Sequence, residues 1–385
     1  MTQMRTLVDD AASWRRDFHA APELGFEEHR TGARVAELLE EFGLAVHRGL
    51  GGTGVVGTLH LGDGPVIGLR ADMDALPIQE LGHCAHRSAH PGRMHACGHD
   101  GHTAILLATA RYLSQRRDLR GTVHFVFQPA EESLGGAQRM IDDGLFERFP
   151  MDAIYGLHNW PGQPAGKVLV NPGPMMASLD TFEITLTGRG SHAAMPERGA
   201  DPIVAAAELV LALQTIPSRR LSPLDSAVVS ITQVHAGEAI NVLPETATLK
   251  GTVRCLQTSV REKVQALIGE FVAQLPPAFG VQGALNYHVG YPVTENHPGE
   301  AAKVFKAAVA AVGEANVQWG CAPSMASEDF AFMLGACPGA YFWLGVDGDA
   351  PSAALHNPHY DFNDCVIEAG VRVWAALVEH SLPAT

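Results

Sequence analysis

The segment His95-Ala96-Cys97-Gly98-His99-Asp100-Gly101-His102 sets a thiol and an imidazole two residues apart around a glycine, in a loop that opens a helical pattern. A backbone turn can aim both at one ion. Thiolate and imidazole are ligands for zinc and other late divalent metals, and Gly98 permits the close backbone approach that chelation needs. The spacing is not that of a zinc finger, and a loop of solvated histidines around an inert cysteine fits the same eight residues. Further donors stand elsewhere. Glu131-Glu132 follows the apolar run Val123–Phe127 and Pro129, His158 sits in Gly156-Leu157-His158-Asn159-Trp160-Pro161, and His356 sits in Leu355-His356-Asn357-Pro358-His359. A Glu-Glu pair by itself marks a solvated surface, and a lone histidine is usually a satisfied core residue. Their conjunction, each after a strand-like run, makes a metal site the chemistry to test.

The elements must position these groups within a chain of 385 residues, longer than the roughly 250–300 at which one hydrophobic core stops growing, so two domains are expected. Apolar residues near 27–42 (Val35, Leu38, Leu39, Phe42) have helical spacing, with Gly43 as a C-cap. The runs Val55–Leu61 and Val66–Ala71, separated by Gly62-Asp63-Gly64-Pro65, read as a hairpin or a pair of adjacent strands. A helix is expected from about His102 to Gln115, then a strand Val123–Phe127 ended by Pro129. Strands alternating with helices predict an α/β sheet, and ligands gather beyond the carboxyl ends of such strands. Asp72, Asp74, Glu131 and Glu132 fall there. From Asp180 the pattern changes to strand 182–186, helix 202–216, strands 228–234 and 247–254, helix 260–275 and a strand near 284–289. This β-α-β-β-α-β order is ferredoxin-like. After Pro292 come a helix at 301–312, a strand at 340–344 and a last helix carrying Val366, Ile367, Val371, Trp374 and Val378. Residues 180–290 therefore read as a domain inserted into a discontinuous one formed by 1–179 and 291–385.

Composition narrows the function classes. With 42 acids against 27 bases the net charge is −15, which argues against a nucleic-acid partner. No stretch approaches the roughly 18–20 apolar residues of a membrane span, and Arg5, Asp9 and Asp10 stand where a signal sequence needs an apolar run. No membrane partner and a cytoplasmic location are expected. Six scattered cysteines read as reduced thiols.

Six ordered motifs, Arg-Ala-Asp-Met-Asp-Ala-Leu-Pro (70–77), the 95–102 segment, Gln-Pro-Ala-Glu-Glu (128–132), Gly-Leu-His-Asn-Trp-Pro (156–161), Gly-Arg-Gly-Ser-His-Ala-Ala (188–194) and Ser-Glu-Asp-Phe (327–330), make the chain resemble a known family. It is that of the dinuclear metal amidohydrolases related to aminoacylases, in the branch of hippurate hydrolase and auxin-conjugate amidohydrolases, and the resemblance covers nearly the whole chain. It implies a zinc-peptidase-like three-layer α/β catalytic domain with an inserted ferredoxin-like α+β domain serving as lid and dimerisation element. In the wider family a metal-binding histidine stands at the position of Asp72 and a bridging aspartate near Cys97, so this chain follows the Cys/His branch.

The resemblance also implies roles. Two divalent ions (zinc, manganese, cobalt or nickel) would share Cys97; His99 and His158 would complete one site, Glu132 and His356 the other. Glu131 would be the general base and Asp74 would orient a ligand. From the inserted domain, His192 would stabilise the oxyanion, in its own or a neighbouring subunit, while Asn241 and Arg254 would bind substrate. Met175, Met176 and Trp343 either line an acyl pocket or belong to the core. The expected activity is hydrolysis of an N-acyl amino acid by a homo-oligomer, a dimer or higher. The alternatives are a dipeptidase or carboxypeptidase on the same metals, and a silent binding module, for which Glu131 would have no use.

Overall fold

In the computed structural model, which describes residues 2–382, the chain divides into two compact units. One takes the chain up to Met175, Glu295–Ala322 and everything from Asp329 onward; the other takes Met176–Thr294 and Pro323–Glu328.

The first unit is built on an eight-stranded mixed sheet in the order Ala45–Leu50, Gly54–His60, Thr122–Gln128, Val66–Asp72, Ala153–Pro164, Gly339–Asp347, Val168–Val170, Val317–Trp319. The central strands read Val-Ile-Gly-Leu-Arg-Ala-Asp and Thr-Val-His-Phe-Val-Phe-Gln and are buried along almost their whole length, as expected for parallel strands covered on both faces. Helices Thr2–Ala20, His99–Ser114, Pro298–Val312 and Ile367–Ser381 contribute Phe18, Ile105, Leu106, Val304 and Trp374 to one core with Phe125, Tyr155 and Phe342.

The topology creates the site. Strand Val66–Asp72 pairs in parallel with Thr122–Gln128 on one side and with Ala153–Pro164 on the other, so the connection from its carboxyl end and the one from the carboxyl end of Thr122–Gln128 run in opposite directions and open a crevice there. Register aligns Asp72 with Gln128 and Arg70 with Gly156, and the next parallel strand aligns Trp343 with His158. Asp72, Gln128 and His158 therefore reach the same edge.

Two sequence expectations are corrected. The strands at 54–60 and 66–72 do not form a hairpin and are not neighbours: Thr122–Gln128 lies between them, antiparallel to the first and parallel to the second. The helix His99–Ser114 supplies the parallel crossover, which outweighs the short turn at 62–65. That helix also starts at His99, three residues before the expected His102, because Gly98 at φ 88° turns the chain directly into it.

The second unit is a four-stranded antiparallel sheet, ordered Ala227–Ala236, Thr246–Cys255, Asp180–Thr187, Gln282–Val289. Helices Pro202–Thr215 and Thr258–Gln274 cover it, in the β-α-β-β-α-β chain order of the ferredoxin-like fold. Strand Thr246–Cys255 alternates strictly between buried and less buried residues, as a sheet with one covered face requires. Asp201 caps the first helix through the Ile203 N–H, with Pro202 at its first position.

A buried ion pair closes this unit. The carboxylate of Asp180, fully buried, accepts from the Arg261 guanidinium, the Tyr287 hydroxyl at 2.8 Å and the Gly290 N–H at 2.9 Å. Replacing Asp180 by Ala strands a buried guanidinium. The expected cost is about 3–5 kcal/mol, read as a lower urea midpoint for this unit, whereas Glu183→Ala, which removes an exposed pair with Lys250, should leave the midpoint nearly unchanged.

Candidate metal centre

Three backbone positions with positive φ surround the crevice. Gly98 (88°) aims His99; a side chain there would also press into Asn159, whose Oδ1 would lie 2.3 Å from a Cβ. Ala130 (53°) turns the strand end into the short helix Glu131–Leu134, and His356 (64°) has its N–H tied to the Ala96 carbonyl at 2.8 Å. Left-handed conformations at non-glycine residues persist only where their surroundings enforce them, and they cluster at functional sites.

Potential metal donors come together in two overlapping groups, Cys97 with His99 and His158, and Cys97 with Glu132 and His356; within each, the donor atoms lie within 4.8 Å of one another. Cys97 is common to both. His99 also groups with Glu131 and Glu132. The imidazoles are held in ligating tautomers. His99 Nδ1 donates to the Asp74 backbone carbonyl at 2.9 Å beside Asp74 Oδ1 at 3.1 Å, and His158 Nδ1 donates to the Asn159 carbonyl at 2.7 Å. Each Nε2 is thereby left to face Cys97, and His158 Nε2 is 3.5 Å from the sulfur. Asp74 spans both groups, since its Oδ2 accepts the Glu132 N–H at 2.9 Å.

The electrostatics call for cations. Burial drives the His158 imidazole well below its ordinary pKa, so it stays neutral, and burial pushes the Cys97 thiol up. Hydrogen bonds to Cys97 and Glu132 raise His356 to about 10. Burial opposes charge on His99, yet the Asp72 carboxylate, 3.7 Å from Nε2, raises it well above the usual range. This Nε2 is buried and makes no hydrogen bond of normal geometry; on losing its proton it has a lone pair for a metal. Soft sulfur, borderline nitrogen and hard carboxylate donors suit a pair of divalent ions sharing a thiolate.

Asp72 also groups with His99 and His102 as a potential donor, but its carboxylate is already engaged. It accepts from His102 Nδ1 at 2.6 Å and from Arg70 at 2.7 Å. Arg70, fully buried, also reaches Gln128 at 2.8 Å and Asp329 at 3.2 Å. The Asp329 N–H donates to Glu131 Oε1 at 3.3 Å, and its carboxylate accepts from Gln128 and from the Ala137 N–H. Sequence reasoning missed Arg70, Asn159 and Asp329 as functional, although all three lie in the quoted motifs. It also missed Glu28, which carries no local signal. Another grouping of potential ligands, His19, Cys84 and Asp361, already holds cations. The Arg15 guanidinium is 2.8 Å from Asp361, and His19 is raised to about 10, despite burial, by its hydrogen bond to Asp100.

In the second unit, His192 and Asn241 are brought together. The short strands Ser191–His192 and Val242–Leu243 pair, and the Ala193 N–H donates to the Asn241 carbonyl at 3.0 Å; both side chains are exposed. Arg254 is half-buried, with Nη1 3.3 Å from Ser327 Oγ and 3.4 Å from the Met325 carbonyl, and makes no ion pair among the described residues. Met175, Met176 and Trp343 are buried; Met175 touches Cys321, and Trp343 stacks on Trp160 at 3.9 Å.

A zinc-peptidase-like sheet whose carboxyl edge collects thiolate, imidazole and carboxylate donors around a shared sulfur defines a metal-dependent hydrolase. Residues 68–380 match Peptidase family M20/M25/M40, and the chain belongs to that family. It is 43% identical to a hippurate hydrolase of Campylobacter jejuni over 94% of both chains. It is 39% identical to an N-acetyl-L-cysteine deacetylase of Bacillus subtilis, over 94% of this chain and 86% of the relative. To an Arabidopsis thaliana IAA-amino acid hydrolase (ILR1-like 2) it is 39% identical, over 94% and 83%. Among solved structures it resembles a putative aminohydrolase of methicillin-resistant Staphylococcus aureus (30% identity, TM-score 0.90, 98% of both chains). It also resembles the Bacillus subtilis YXEP protein, a dinuclear metal-binding peptidase of the M20 family (34% identity, TM-score 0.86, 97% and 98%). The described helices include none long and apolar enough to cross a membrane.

Asp74→Asn can keep one of the two carboxylate contacts but not both, and should weaken metal affinity about 10–100-fold, measured by chelator competition. Because Cys97 and His356 hold protons more tightly than usual when no metal competes, metal uptake should release protons. Affinity should accordingly rise as pH is raised from 6 to 8.

Proposed function

We propose that the protein hydrolyses the amide bond of N-acyl amino acids, releasing a carboxylate and a free amino acid. Cys97, His99, His158, Glu132 and His356 would hold two divalent ions. The observation that carries this reading is the pair of donor groups meeting at one thiol directly beside Glu131. The hippurate, N-acetyl-L-cysteine and IAA-amino acid substrates in the relatives' names all pair an acyl group with an amino acid. When bound, the ions supply a lowered pKa for the attacking water and polarise the scissile carbonyl.

Glu131, oriented by the Asp329 N–H, takes a proton from that water and passes it to the leaving amine. Arg254, without an acidic partner of its own among the described residues, takes the substrate carboxylate through its planar fork, with Asn241 as a second substrate contact. His192 donates to the oxyanion, brought to the carbonyl by movement of the second unit as a lid. With thiolate, imidazole and carboxylate donors together, the ions would be zinc, manganese, cobalt or nickel. The functional form is a dimer. Its support is apolar exposure on the second unit, Ile203, Val204 and Leu211 on one helix and Val228 and Val234 on an edge strand. Six free cysteines suit a reducing cytoplasm.

Elemental analysis of reconstituted protein should find about two ions per chain, and Glu131→Gln should keep them while losing about 10²–10⁴-fold in activity. Turnover of benzoyl-, acetyl-, indoleacetyl- and long-acyl amino acids beside dipeptides tests the substrate class; hydrolysis of dipeptides alone overturns it.

If His192 acts across a dimer, mixing inactive Glu131→Gln chains with His192→Ala chains should restore activity through hybrid dimers carrying one intact site. No recovery after verified subunit exchange would confine His192 to its own subunit.

A further inference from the structure

Ala130 bears a Cβ and yet sits at φ 53°, ψ 45°, immediately before the two glutamates. That conformation is disfavoured for any residue with a Cβ, so something must enforce it. The enforcing group is Glu28, 102 residues away in sequence. Its carboxylate, fully buried just ahead of helix His29–Glu41, accepts the Ala130 N–H on Oε1 at 2.8 Å and the Thr53 hydroxyl on Oε2 at 2.6 Å. The approach is built in. A Cβ at Gly25 would stand 3.1 Å from Ala130 and 2.7 Å from Leu134, and one at Gly32 would stand 2.6 Å from the Thr53 carbonyl. Only glycines let this segment lie so close to both partners.

We propose that Glu28 is a positioning residue for catalysis: it touches none of the candidate metal donors, and it locks Ala130 in the left-handed turn that delivers Glu131 and Glu132 to the metal centre. The turn is held at three further points. Asp74 accepts the Glu132 N–H, the Asp329 N–H reaches Glu131 Oε1, and the Gly136 N–H donates to the Ala130 carbonyl at 3.0 Å. Glu28 is the side chain that holds the Ala130 N–H, while Gly136 holds its carbonyl. Without Glu28 the alanine relaxes toward ordinary φ, rotating the peptide that carries Glu131. Metal donors other than Glu132 come from other segments, so the damage should fall mainly on turnover. The inference rests on Glu131 being the general base.

The test compares purified, metal-reconstituted Glu28→Leu, Glu28→Gln, Thr53→Val, Ala130→Gly and Glu28→Leu/Ala130→Gly with the parent and with Glu131→Gln. Glu28→Leu, similar in volume but without an acceptor, should lose about 10–100-fold in kcat with KM within about threefold. It should also show faster amide hydrogen exchange in the peptide spanning 129–136 of the metal-free protein. Glu28→Gln retains an acceptor for Ala130, and the Thr53 hydroxyl can turn to accept from its amide, so it should stay within about threefold of the parent. Thr53→Val should show a smaller loss of the same kind. Glycine adopts the left-handed turn freely. Ala130→Gly should therefore be near neutral alone and, combined with Glu28→Leu, should recover at least tenfold of the lost kcat.

If Glu28→Leu is fully active, or if Ala130→Gly fails to rescue it, Glu28 does not act through this turn. If Glu28→Leu does not fold, full activity in Thr53→Val together with unchanged exchange at 129–136 overturns the proposal in its place. An active Glu131→Gln enzyme would instead sink the general-base reading, whatever the Glu28 series shows.

Discussion

Uncompensated negative charge cannot be buried, and that constraint organises the first unit. Asp72, Asp74, Asp100, Glu28, Glu131 and Asp329 are all buried within or around one sheet edge. The outer members are matched inside the protein: Arg70 lies between Asp72 and Asp329, and Arg15 and His19 lie beside Asp100. Toward the crevice the compensation changes. Asp74 is met by a histidine ring and a backbone N–H, and the groups beside it are a thiol and neutral or protonated imidazoles. The donors gathered there are of the types that suit divalent cations.

The same constraint explains where the sequence was legible. Donor residues adjacent to strand ends, Glu131-Glu132, His158 and the Cys97–His99 loop, announce themselves because chemistry and punctuation coincide within a few residues. The β-α-β-β-α-β order of the second unit was readable because strands such as Thr246–Cys255 alternate and its first helix has a capping Asp201 and a proline start. Helix Thr2–Ala20 was not legible. Its inward face carries Arg15 and His19 beside Leu7, Ala11 and Phe18, so charged residues interrupt the apolar stripe by which a helix is recognised. They are buried only because acids elsewhere in the chain meet them.

Long-range pairing was equally hidden. Nothing local tells Gly54–His60 that its partner is Thr122–Gln128, because parallel crossover geometry decides this and the intervening turn does not. Glu28 follows another acid, Glu27, at the start of a helix, where any reading would assign a solvated charge. Its burial against Thr53 and Ala130 is a property of the fold alone.

The strand Gly339–Asp347 lies between Ala153–Pro164 and Val168–Val170, parallel to the first and antiparallel to the second, and His356 follows it. During synthesis the nascent chain must therefore hold an incomplete sheet, with one side of Ala153–Pro164 unpaired, while the ribosome makes the whole intervening unit. At translation rates of about 5–20 residues per second, the gap from residue 164 to residue 339 lasts on the order of ten to thirty seconds. The intervening unit, whose sheet and core are its own, can fold during that wait, but both halves of the donor set meet only after the last third of the chain emerges. The candidate donor set is thus completed only when His356 has been made.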